Sequence, residues 1–122
     1  MNKNITFQSA LENRTCEFGL NIIRLVKKIP HNSINKRLVE QIVGSSGSIG
    51  ANYMEATASE SKKDFIHKML ICKKEIKETQ HWIRLLAEAN DDLKEEFRKL
   101  WKENQELLFI FSKAISTSQK KT

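Results

Sequence analysis

One proline, four glycines and two cysteines are all that 122 residues contain of those three types. So few turn formers leave little material for a β-rich fold, which needs many tight turns. The two cysteines, Cys16 and Cys72, show no metal-type spacing and read as reduced, packed thiols. No apolar run approaches the ~18 residues of a transmembrane helix, so no membrane partner is expected. The stretch from Met1 to Thr6 lacks the apolar region of a signal peptide, which places the protein in the cytoplasm. Neither an internal repeat nor a low-complexity segment is visible.

Catalytic signatures are missing as well. Gly44, Gly47 and Gly50 are not a phosphate loop, because no Lys-Ser/Thr follows them and no hydrophobic strand precedes them. Ser45, Ser46 and Ser48 show no nucleophile-elbow pattern. Glu78 and His81 have the Glu-x-x-His spacing of di-iron bundles, but no second such pair exists and both lie off the core arc. His67 and His81 share a helix face but are separated by about 21 Å, too far to hold one ion. Trp82 and Trp101 read as packing residues. Neither an enzyme nor a metal or other cofactor is expected.

What the sequence does contain is helical periodicity. Leu11, Thr15, Phe18, Ile22, Leu25, Val26 and Ile29 recur at three and four residues, which predicts a first helix over about 7–29, stopped by Pro30. Cys16, Leu20 and Ile23 form a second apolar set on another arc. Asn32 or Ser33 caps a second helix over about 34–58, and Ser61 with Asp64 resembles a capping box opening a third over about 62–88. Phe65, Met69, Cys72, Ile76, Ile83 and Ala87 are its core arc. A fourth, capped by Asn90 or Asp91, runs over about 91–115 with a core stripe from Leu93 to Ile115 that includes Asn104. Residues from Ser116 onward read as a frayed polar tail. Four amphipathic helices with short connections make an all-α, antiparallel up-and-down four-helix bundle, one domain over 1–122.

The least conventional stretch lies inside the second helix. Gly44 to Gly50 reads locally as a loop, yet Ile34, Leu38, Ile42, Ser45, Ile49, Tyr53 and Ala56 keep a helical period through it. Helix is the preferred reading. Gly44, Gly47 and Gly50 then form a small-residue stripe that lets another backbone approach. That closeness offsets the roughly 1 kcal/mol each helical glycine costs relative to alanine. Leftover apolar residues on other helices, Leu20, Ile23, Ile66, Leu70 and Phe109, join these glycines as candidates for a homo-oligomer interface.

Charge supplies the other candidate site. The formal net charge is +6, which favours a polyanionic partner. Residues 62–86 carry seven basic against three acidic side chains. Lys62, Lys63, Lys73, Lys74, Lys77 and Arg84 share an arc about 120° wide on the third helix, a basic track along its length. Lysines of this kind give affinity for phosphates without reading sequence.

Ser48-Ile49-Gly50-Ala51-Asn52-Tyr53-x-Glu55-Ala56, Ser61-Lys62-Lys63-Asp64-Phe65-Ile66-His67-Lys68 and Lys74-Glu75-x-Lys77-Glu78-Thr79-x-x-Trp82 resemble the four-helix-bundle family of 23S rRNA intervening-sequence proteins. The resemblance runs over nearly the whole chain. Some members are encoded inside insertions in bacterial 23S rRNA genes, so it implies a nucleic-acid partner, RNA before DNA. Members associate as pentamers, so it also implies a five-membered ring. Gly44 and Met54 stand where many relatives carry basic residues, which leaves any nucleic-acid contact to the third helix. The alternative function is an adaptor ring docking on a polymerase or another protein without touching nucleic acid.

Overall fold

The computed structural model describes residues 6–120. It is all-α, with four long helices: α1 (Phe7–Val26), α2 (Ser33–Thr57), α3 (Lys62–Ala89) and α4 (Lys94–Lys120). A single 3-10 turn, Asp91–Leu93, precedes α4. Each helix packs on its chain neighbours, and α1 also packs on α4. One apolar core runs through all four, with Phe18, Ile22, Ile42, Ile49, Met69, Ile76, Leu86, Phe97, Leu107 and Phe111 almost without solvent exposure. Each such side chain contributes roughly 1.5–3 kcal/mol by leaving water.

The helix starts follow cap chemistry. The side chains of Thr6, Asn32 and Ser61 each accept a hydrogen bond from the backbone N–H three residues on. α1 ends at Val26, three residues before the expected Ile29. Pro30 disfavours helical geometry in the residue before it, so the chain tightens into turns in which Lys28 N–H donates to Leu25 O and Ile29 N–H to Val26 O. Ile29 stays buried all the same. α4 is displaced in the other direction. It begins after the 3-10 turn and continues through Ser116 to Lys120, where a frayed tail was expected. The last two residues of that expected tail lie outside the described residues. Asn90 caps the 3-10 turn through its backbone only, with no side-chain bond, because its amide is engaged elsewhere.

The glycine stretch is helix throughout, and no glycine has positive φ. Gly50 alone meets another helix of the same chain: a Cβ there would stand 3.3 Å from Thr15 Oγ1. Gly44 and Gly47 have open space where a Cβ would go. The close approach that the stripe suggests is therefore made within the chain only at Gly50.

One turn of α2 departs from the apolar period. Ile34 is 64% exposed, and the neighbouring Asn35 is buried in its place. Asn35 Nδ2 donates to Asn90 Oδ1 at 3.0 Å and to Pro30 O at 2.9 Å. Asn90 Nδ2 donates to Asn35 Oδ1 at 2.9 Å and to Leu86 O at 3.0 Å. All four amide protons are used, which makes burial of both side chains tolerable. Further along, Thr79 gives its hydroxyl proton to Glu75 O and lies 2.8 Å from Ser45 Oγ. Cys72 Sγ donates to Ile49 O, and Lys68 reaches Glu55 at 2.7 Å.

Candidate nucleic-acid interface

The capped start of α3 at Ser61 fixes the phase of a helix 28 residues long. From Lys62 to Arg84 that helix covers roughly 33 Å. Lys62, Lys63, Lys74, Lys77 and Arg84 are exposed along it, and Lys73 is half-buried. None of the six is in an ion pair among the described residues. Glu88, one turn beyond Arg84, is the one carboxylate on their arc. Lys68, which falls outside the arc, behaves differently. It is tied to Glu55 of α2, and the hydrogen bond to that carboxylate raises its pKa.

The neighbours of α3 explain where the arc faces. Lys68, Cys72 and Thr79 all bond across to α2. At 100° per residue the basic arc lies on the far side of the core line from Lys68 and Thr79. It therefore spans from the α4 flank of α3 out to solvent. Ile66, half-buried, and Leu70, 43% exposed, sit among the lysines.

α4 adds cations that periodicity alone left unassigned. Arg98, Lys102, Phe109, Lys113 and Lys120 recur at intervals of four and seven, which makes a nearly straight stripe on a helix. All five are exposed. Within α4 beyond Arg98 the only acids are Glu103 and Glu106, and Arg14 of α1 holds both. Its Nε donates to Glu103 at 2.7 Å and its terminal nitrogen to Glu103 at 2.9 Å and Glu106 at 3.2 Å. These partly exposed pairs add little stability, about 1 kcal/mol or less each. Their consequence is spatial: Glu103 and Glu106 are drawn to the α1 flank. The spacing of the α4 stripe was available in the sequence, but Arg14's hold on the acids was not.

The candidate interface residues do not form one surface. Leu20, Ile23, Gly47 and Gly50 line an apolar groove of about 370 Å³ between α1 and α2, together with Cys16, Val43 and Met54. Gly44 lies on α2 outside that groove. Ile66 and Leu70 belong to the basic face of α3. Phe109 is 67% exposed on α4, with Lys113 Nζ 6.0 Å from its ring centre. Cys72 is buried, and burial pushes its thiol up to about 12, whereas Cys16 is exposed. Among the described residues no three His, Cys, Asp or Glu side chains converge on a point, and no helix is long and apolar enough to cross a membrane.

A family model for "23S rRNA-intervening sequence protein" matches residues 8–113, from the first turn of α1 to the last third of α4. The chain belongs to this family. A crystal structure of a protein of unknown function, from the S23 ribosomal protein family of Bacteroides thetaiotaomicron, has a similar fold. The two are 29% identical, and the match covers 85% of this chain and 96% of that one with a TM-score of 0.76. No curated protein matches the chain. Family membership covers the helices that carry both the basic arc and the apolar groove. It comes with no assigned chemistry.

Proposed function

We propose that the protein is a non-enzymatic nucleic-acid-binding module, RNA before DNA, working as an oligomeric assembly of antiparallel up-and-down bundles. The observation that carries this reading is the arc of Lys62, Lys63, Lys73, Lys74, Lys77 and Arg84, exposed or half-exposed and free of ion pairs among the described residues. A cationic row without internal partners is a standing attraction for phosphates, and its strength depends on salt through counterion release. Assembly into a ring would repeat the row and raise avidity without a new contact. Family membership supports RNA as the first polyanion to try.

The test is replacement of Lys73, Lys74 and Lys77 together by Gln. Binding to a structured RNA should weaken, its salt dependence should flatten, and the mass of the assembly should stay the same. Full binding by this variant would refute the assignment.

A second reading, an adaptor for another protein, is favoured by the apolar α1–α2 groove. It predicts a protein partner that stays bound in cell extracts after nuclease treatment.

A further inference from the structure

The helix that packs beside α3 carries a second row of cations. That helix is α4, with Asn104 Nδ2 donating to Ile76 O at 3.1 Å. The outer stripe of α4 carries Lys102, Lys113 and Lys120, none in an ion pair among the described residues. Phe109 stands in the middle of this stripe, the most exposed large apolar side chain of the described residues. Its recorded partner is a cation, Lys113, set over the ring at 6.0 Å.

An exposed aromatic flanked by unpaired cations meets the two needs of an unpaired strand: charge for the phosphates and a π-face for a base. A duplex keeps its bases stacked inside and presents only the first of these. We infer that the joint face of α3 and α4 takes single-stranded nucleic acid, with Phe109 stacking an unpaired base between Lys102 and Lys113. This rests on the nucleic-acid reading above and specifies the form of the ligand. It also moves Phe109 from the candidate interface between copies to the ligand face.

The experiment compares wild type with Phe109→Ala and Phe109→Trp. The probes are an unstructured single-stranded RNA and a blunt duplex of equal phosphate number, both at fixed salt. Phe109→Ala should lose about 5- to 150-fold in affinity for the single strand, the range of one base–aromatic stack. It should bind the duplex as wild type does, and Phe109→Trp should restore single-strand binding. Phe109 is exposed, so helix content should not change in either variant. Equal losses on both probes, or no loss on the single strand, would overturn the stacking role while leaving the lysine arc standing. A smaller assembly in Phe109→Ala would overturn it too and return Phe109 to the interface. Wild type that binds neither probe would remove both proposals together.

Discussion

Tyr53 of α2 reaches across the core to α4. Its ring meets Phe111 edge-on at 5.5 Å, and it is 2% exposed. Burial first, then the charge of Glu12, pushes its phenol up to about 12. Burial has the same effect on Cys72. In each case the folded chain holds the proton more tightly than the unfolded chain does. Stability is therefore full below pH 9 and declines as pH rises toward 12. Each group removes about 1.4 kcal/mol per pH unit while only the unfolded form is ionised. Tyr53 is the only tyrosine in the sequence, so the ultraviolet absorbance of phenolate follows it alone. A native titration midpoint near 12 is expected, and one near 10 would place the ring in water. Periodicity identifies Tyr53 and Cys72 as core. The pKa shifts depend on what surrounds them, which periodicity does not supply.

At the level of elements, the seam between α2 and α3 is fixed by polar pairs as much as by apolar packing. Asn35 and Asn90 form its outermost buried pair. Replacing Asn90 by Ala strips Asn35 Oδ1 of its donor, and Asn35 Nδ2 of one acceptor, in a buried site. The expected cost is about 1–3 kcal/mol, read as a lower urea midpoint at unchanged slope. A change below about 0.5 kcal/mol, the usual size for a surface substitution, would show that the pair is not buried in solution.

The same seam shows how far the sequence could be read. The apolar stripes of α1, α3 and α4 announced their helices, and the period through Gly44, Gly47 and Gly50 outweighed their loop-forming character. The apolar period misled at Ile34, because at 100° per residue Asn35 lies nearer the centre of the buried arc of α2 and its amide protons are all hydrogen-bonded there. The end of α1 was misjudged because Pro30 acts on the turn before it. The end of α4 was misjudged because Lys, Ser and Gln are tolerable helix formers even without a core to face. The cations of α3 were legible as a row. That Lys68 beside them has a partner, and they have none among the described residues, was not legible: it depends on where the neighbouring helices put their carboxylates, Glu55 of α2 among them.

On the scale of the molecule, two surfaces stand out among the described residues: the cations of α3 and α4, and the apolar α1–α2 groove. The groove holds Leu20 at 39% and Ile23 at 43% exposure. Exposed apolar residues gathered in one concave strip mark an interaction site. If copies of this chain meet there, Leu20→Lys should give a smaller particle by light scattering with its helix content kept. Elution at the full assembled mass would move the contact between copies elsewhere.

The central claim is that the unpaired cations of α3 bind phosphate. The most direct test is the affinity of the purified protein for RNA, followed as a function of salt. Six engaged cations per chain predict a straight line of log affinity against log salt with a slope of roughly −4 to −5. Absence of binding at low salt, or a slope near zero, would contradict the account and leave the net charge of +6 as solvated surface.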